Sequence, residues 1–316
     1  MSLKKIILSV VAICASIVIT AQQPAKKLLD MREATSGLFT NLAPLNLKQL
    51  QWQNANTYVF TAGKDSNECL VRNILPAATP DTFLRLSQIN AALLNSGDVA
   101  LKSMPAINWL SATDAYFSKG SKYYQMRIAK DGSVTTSLMY TLPDDAENIS
   151  IHPKTLSAAY TSNYNLFICT IGNPAQQLTT DGNANLLYGT SVHRDEFGID
   201  HGIFWHDNGR NIAFYQMDQS MVTDYPIINW QTIPATVNNI KYPFAGATSH
   251  NVSLYTYNLD RATKARINTT EKSEQYLTCV TWHPTDEKIY IGILNREQTQ
   301  LSLNKYNAKT GAYDRT

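Results

Sequence analysis

The chain has 316 residues, with 27 Lys and Arg against 25 Asp and Glu and only 16% of positions charged. That length is ample to bury a core, while the absence of a basic run interleaved with aromatics gives nucleic-acid binding, or adhesion to an acidic membrane, no support. The 17 tyrosines and plentiful Asn, Thr and Ser favour strands and turns over an all-helical bundle.

Lys4 and Lys5 precede an apolar run from Ile6 to Ile19, and Thr20-Ala21-Gln22 follows. This is the pattern of a secretory signal peptide over residues 1–21, with small Ala21 the last residue removed. An uncleaved anchor is the rival reading, although the run is short for a membrane span. Cleavage would remove both lysines and leave residues 22–316 formally neutral. Three cysteines would remain, Cys69, Cys169 and Cys279, an odd number without a close pair, which fits neither a disulfide framework nor a zinc knuckle. Cys169 (LFICTI) and Cys279 (LTCVTW) read as small core residues of apolar strands.

Leu28 to Gly37 suits a short helix or an edge segment. LSQINAALLNSG predicts a second helix, with Ser87 able to cap, Ile89, Ala92 and Leu93 on one face and Gly97 placed to stop it. The remainder reads as strands organised by a weak repeat. In LQWQNANTYVF, INWLSATDAYF, ISIHPKTLSAAY, IFWHDNGRNIAF and VTWHPTDEKIYI an anchor is followed by a turn and a compact apolar strand. The anchors Trp52, Trp109, Ile151, Trp205 and Trp282 are spaced by 57, 42, 54 and 77 residues. Turn chemistry lies at Asn54 to Asn56, Lys154-Thr155, Asp207-Asn208-Gly209 and Thr285-Asp286. Further strands follow, as in YNLFICTI and LSLNKYNAKTGAY, the latter with a hairpin turn at Lys309-Thr310-Gly311. Four-stranded units with a period near fifty predict an all-β chain of propeller blades; a β-sandwich pair is the alternative that short strands alone leave open.

Tyr188 to Pro226 carries the chemistry. Asp195 and Glu196 stand side by side in a loop-like segment between His193-Arg194 and Phe197-Gly198. Adjacent carboxylates repel, so they are either solvated or placed to hold a cation. Arg194 either pairs with one of them and orients it or is a solvated neighbour. His193, His201 and His206 are spaced by eight and five residues, which fits no familiar metal-ligand pattern; no metal and no cofactor are expected. Tyr215 and Met217 alternate with polar residues as in a half-buried strand, and Asp218 and Gln219 read as turn ties. No Gly-x-Ser-x-Gly elbow occurs; the nearest string, Gly189 to His193, lacks the final glycine and leaves Ser191 a loop hydroxyl.

In order, VHRDEFGI, FWHDNGRNIAFYQMDQSMVTDYP, YPFAGATSHNVSLYTYNL and LNREQTQLSLNKYNAKTGAYDRT resemble the N-terminal β-propeller of the dipeptidyl peptidase IV family of serine exopeptidases. The bacterial members, which include prolyl tripeptidyl peptidase, are the most similar. The resemblance is clear from Tyr188 to Thr316 and thinner upstream. It implies an eight-bladed propeller followed by an α/β-hydrolase domain, so this chain would hold about five blades and stop before its own catalytic domain. It further implies that Glu196, with Asp195 beside it, binds the free α-ammonium of a peptide substrate, the anchor from which the enzyme counts residues to the scissile bond. Many dipeptide-releasing relatives have Glu-Glu here, so Asp-Glu leaves dipeptide against tripeptide release open. The implied partners are peptides with a free N-terminus, the missing hydrolase domain and a second copy in a homodimer, with no nucleic acid. The implied location is the periplasm, and the chain alone would be inactive. The rival reading is a non-catalytic secreted propeller that binds peptides or protein partners.

Overall fold

The computed structural model describes residues 28–40, 42–44, 46–76, 79–269 and 274–316. The signal-peptide reading, residues 1–21, falls outside them. Among the described residues no helix is long and apolar enough to cross a membrane. The chain divides into a unit ending at Lys48 and a larger one, Gln49–Thr316. In the first, helix α1 (Met31–Ser36) starts on Asp30. Its carboxylate accepts the Glu33 N–H at 2.6 Å, and the Glu33 carboxylate accepts the Asp30 N–H at 3.3 Å, a reciprocal cap that satisfies two orphan amides.

Among the described residues the larger unit contains six antiparallel sheets, five that each correspond to one sequence repeat and a separate two-stranded hairpin. The first is β1 (Lys48–Asn54), β2 (Thr57–Ala62), β3 (Cys69–Ile74) and β4 (Asp81–Arg85) in that order. After helix α2 (Leu86–Asn95) the second runs β5 (Ile107–Trp109), β6 (Asp114–Lys119), β7 (Lys122–Ile128) and β8 (Val134–Thr141). The third comprises β9 (Glu147–Ile151), β10 (Ala158–Ser162), β11 (Asn165–Cys169) and β12 (Gln176–Gln177). The fourth is built on β13 (Leu186–Tyr188), β14 (Ile203–Trp205) and β15 (Asn211–Asp218). A separate hairpin, β16 (Asp224–Asn229) and β17 (Thr236–Lys241), intervenes before this sheet resumes with β18 (Asn251–Asn258) and β19 (Thr263–Arg266). The fifth is β20 (Gln275–Trp282), β21 (Lys288–Asn295), β22 (Leu301–Asn307) and β23 (Tyr313–Arg315). Each anchor lies at the first-strand position of its unit, which in the fourth is shared by β13 and β14 with Trp205 in β14, and the turn predicted after each anchor joins that strand to the next. This is the blade pattern expected from the repeat.

The sheets pack face to face in sequence order, with an apolar core at each junction. Leu70, Leu84, Phe117 and Met126 fill the first junction and Tyr140, Leu156 and Tyr160 the second. Leu166, Ile212 and Phe214 fill the third; Tyr215, Leu277, Ile289 and Tyr306 fill the fourth. A middle sheet is therefore buried on both faces. In β15, Ile212 and Phe214 point to one junction while Ala213 and Tyr215 point to the other. This corrects the half-buried strand expected from alternation: Asn211 to Tyr215 are all buried, and only Gln216 to Asp218 are intermediate.

Indole N–H groups tie neighbouring first strands together. Trp205 Nε1 donates to the Ser150 carbonyl at 3.2 Å and Trp282 Nε1 to the Phe204 carbonyl at 2.9 Å. In both cases the acceptor lies one residue before the anchor of the preceding sheet. The series does not extend to the second sheet, where Trp109 Nε1 is buried without a partner.

Two smaller expectations change. Helix α2 begins one residue before Ser87, with the Arg85 N–H bonded to Gln88 Oε1 at 2.8 Å; Gly97 follows its end in the left-handed region, as read. Cys169 is buried but Cys279 is exposed. A register shift between Thr278 and Thr281 turns Cys279 out of the strand with φ +52°.

Replacing Trp282 by Phe keeps most of the ring but removes its hydrogen bond, and should cost about 1 kcal/mol in urea unfolding. Trp52, 62% exposed, serves as the control: Trp52→Phe should leave the midpoint unchanged. Equal effects of the two substitutions would contradict the tie.

Candidate functional site

Strands β13 and β14 are two halves of one line. Both pair antiparallel with β15, Tyr188 opposite Gln216 and Ile203 opposite Phe214. Residues 189–202 form an excursion between them, and Tyr215, the residue skipped, closes its neck. The Gly189 N–H donates to the Tyr215 carbonyl at 2.8 Å and the Tyr215 N–H to the Gly202 carbonyl at 3.0 Å. Glycine is required on both sides of this neck. Gly189 has φ +65°, and a Cβ on Gly202 would lie 2.0 Å from the Thr190 carbonyl oxygen. Such a pinched surface loop is an Ω-type element, a recurrent carrier of function.

The predicted acidic pair sits at the top of this loop on a left-handed turn. His193, Arg194 and Asp195 have φ of 53°, 60° and 60°, and Phe197 has 58°. Each non-glycine residue held there costs about 1–2 kcal/mol, so the surroundings must enforce the conformation. They do so from both ends. Val192, His193 and Ile199 are buried. Phe197 stacks on Tyr276 with ring centroids 4.5 Å apart, and its carbonyl accepts the Thr278 hydroxyl at 2.6 Å.

His193 is the central anchor. Its Nε2 accepts the Leu277 N–H at 3.3 Å, so its proton resides on Nδ1, which lies 3.0 Å from His250 Nε2. His250 Nε2 also accepts the His193 backbone N–H at 3.3 Å. The two rings form a neutral pair in which each contact fixes a tautomer. Tyr215 closes the circuit by donating its hydroxyl to the Leu277 carbonyl at 2.7 Å. Burial, then the neighbouring His250, lowers His193 to about 3; burial, then the Arg194 charge, lowers His250 to about 4.

The three side chains singled out in the sequence emerge from this base into solvent. Arg194, Asp195 and Glu196 are exposed, and neither carboxylate has a hydrogen-bond or ion-pair partner among the described residues. Arg194 does not pair with either acid. Its guanidinium lies over the Tyr242 ring, 5.0 Å from the centroid. A cleft of about 360 Å³, lined by Ser191, Arg194, Asp195, Lys241 and His250 among others, lies between the turn and the β16–β17 hairpin.

The three histidines of the stretch do not assemble. His201 is bonded to Asp200 and stacks on Phe204 in a separate groove of about 760 Å³, while His206 is buried against Trp282. No group of three or more His, Cys, Asp or Glu among the described residues could hold a metal ion. Tyr215 is buried framework. Asp218 and Gln219 tie turns, Asp218 Oδ1 accepting the Ser220 N–H at 2.9 Å and Gln219 Nε2 donating to the Ala184 carbonyl at 2.9 Å. Sequence reasoning missed His250, Tyr242, Tyr276 and Thr278. The first two lie within YPFAGATSHNVSLYTYNL, which signalled family likeness but no role for either side chain.

Residues 112–316 match the family described as the N-terminal region of dipeptidyl peptidase IV. A Pyrenophora tritici-repentis protein assigned as a dipeptidyl-aminopeptidase B is 27% identical over 188 residues, which is 53% of this chain and 21% of that protein. A Sclerotinia sclerotiorum protein of the same assignment is 29% identical over 164 residues, 46% and 18% of the two chains. The chain thus spans about a fifth of the length of these relatives. Among solved structures, one from Bacteroides ovatus assigned as a dipeptidyl aminopeptidase IV superposes with TM-score 0.74 and 28% identity, covering 85% of this chain and 36% of the other. Porphyromonas gingivalis dipeptidyl peptidase 4 gives 0.67 at 17% identity, covering 92% and 42%, a likeness of fold.

Histidines buried in the neutral form make stability rise with pH wherever the unfolded chain binds more protons. Here the contribution is complete above the unfolded value near 6.5 and is lost as pH falls toward 4. By pH 5 the loss should be on the order of 1–2 kcal/mol for each of His193 and His250. Urea unfolding at pH 7 and pH 5 measures it, and His250→Gln should flatten the dependence. A pH-independent midpoint would contradict the neutral pair.

Proposed function

The chain belongs to the dipeptidyl peptidase IV family through its N-terminal region, and on that premise we propose that it supplies substrate-amine recognition and access filtering for a serine exopeptidase. The substrates are peptides with a free N-terminus, cut after a penultimate proline or alanine or one residue further on. Bond cleavage belongs to a Ser-Asp-His hydrolase domain outside these 316 residues, which would act through an acyl-enzyme and an oxyanion hole.

One observation carries this reading. Asp195 and Glu196 project two partnerless carboxylates from a turn whose every other member is pinned. Glu196 receives the ammonium and Asp195 adds field from beside it; a cation fixed at one point sets the distance to the scissile bond. In the open chain both acids are solvated, where an ion pair contributes little. Closure by a second domain would desolvate the pair, and breaking it would then cost about 3–5 kcal/mol. Export to the periplasm on a leader spanning residues 1–21 belongs to the same proposal.

The β16–β17 hairpin supports a homodimer. Tyr225, Ile227, Ile228, Trp230, Ile233 and Val237 are all exposed on it, Ile233 completely. An apolar patch of this kind on a projecting two-stranded ribbon fits a self-complementary contact with a second copy.

In the full-length enzyme, Glu196→Ala should lower kcat/KM on free-amine peptides by about two to three powers of ten. An unchanged value would remove the assignment, and a loss below tenfold would mean that the pair stays solvated. Separately, Trp230→Glu combined with Ile233→Glu should convert a dimer into a monomer in sedimentation velocity. A dimer that survives both changes would place the contact elsewhere.

A further inference from the structure

Arg194 presents a physical difficulty for amine recognition. A guanidinium next to Asp195, and two residues from Glu196, is itself a cation that could fill the site. Paired with either carboxylate it would compete with a substrate ammonium, and its five donors bind carboxylates well. In the structure it pairs with neither.

Tyr242 supplies the reason. The Arg194 guanidinium lies over its ring, and that ring is fixed at the base of the hairpin by two aromatic neighbours. Its centroid is 5.9 Å from Tyr225 and 5.8 Å from Phe244, and those two are 5.5 Å apart. Lys241, the preceding residue, is held by Asp224 at 3.1 Å and donates to the Val222 carbonyl at 3.0 Å, which fixes the backbone at the same point. The left-handed turn also directs Arg194: with φ 60° and ψ 33°, its side chain leaves toward the hairpin while Asp195 and Glu196 remain open.

We propose that Tyr242 is a positioning residue that sequesters the Arg194 guanidinium on its ring and so keeps Asp195 and Glu196 available to a substrate ammonium. The inference rests on the reading of Glu196 as the amine anchor. Stacking of an exposed cation on an aromatic face and pairing of exposed ions are weak interactions of the same order. Deleting the ring therefore transfers Arg194 to the carboxylates, and amine affinity becomes a function of which partner the guanidinium takes.

A mutant cycle in the full-length enzyme tests this. Tyr242→Ala should raise KM for a free-amine Xaa-Pro peptide on the order of fivefold with kcat little changed, as expected for a competitor of weak-pair strength. Tyr242→Phe, which keeps the aromatic face, should behave as the parent. Removing the competitor, in Arg194→Ala combined with Tyr242→Ala, should restore the parent KM. A purely structural role for Tyr242 would leave the double variant as weak as the single one, and that result, or an unaffected KM in Tyr242→Ala, overturns the proposal. Glu196→Ala separates the two layers. If it leaves free-amine KM and kcat/KM intact, the amine reading fails and this inference with it; if it impairs them while Tyr242→Ala has no effect, only the inference falls. In the 316-residue chain itself, Arg194 side-chain protons should show an upfield ring-current shift that Tyr242→Leu abolishes. Absence of that shift also overturns the proposal.

Discussion

Both backbone groups of Tyr215 are spent on the neck of a loop rather than on the neighbouring strand. An ordinary β15 residue at that position would bond one residue of the first strand; Tyr215 instead bonds Gly189 and Gly202 and holds the ends of a fourteen-residue excursion together. Its hydroxyl then reaches across the fourth junction to Leu277, whose N–H is bonded by His193. One buried side chain thereby links the neck of the loop, the adjacent sheet and the turn that presents the acids. The candidate site consists of two solvated carboxylates above a base made largely of buried, neutral groups that hydrogen-bond to one another.

That division explains the chemistry. Charge at the top of the loop is left unpaired, which costs little in water and, on the proposed reading, leaves the acids open to a cationic ligand. Charge at the base would be costly, and the histidines there are held neutral by burial and by each other. The strain of consecutive left-handed non-glycine residues is maintained by the Phe197–Tyr276 stack and the Thr278 hydroxyl, both contributed by the fifth sheet. On the proposed reading, amine recognition by the fourth sheet would depend on the packing of its neighbour, at the junction between the two sheets.

Much of the fold was legible in the sequence because the five anchors mark the first strand of five sheets, and turns rich in Asn, Asp and Gly fall between paired strands. Burial was less legible. Alternation predicts a strand with one wet face, yet sheets stacked on both sides bury Asn211 to Tyr215 together, and a bulge invisible in LTCVTW exposes Cys279. Within the site, Asp195 and Glu196 were conspicuous as neighbours in sequence. Their supports were not, because His250, Tyr242 and Tyr276 come from distant segments and acquire meaning only when the fold brings them to the loop. Arg194 illustrates the limit: its proximity to two acids suggests an ion pair, and only the hairpin reveals the ring that takes its charge instead.

The most direct measurement is a crystal structure of the proposed full-length exopeptidase, made unreactive at its nucleophile, with a free-amine peptide bound. The peptide α-ammonium should lie within hydrogen-bond distance of the Glu196 carboxylate, about 2.7–3.2 Å, with Arg194 still on Tyr242. An ammonium bound elsewhere, with Glu196 in solvent, would contradict the proposed reading.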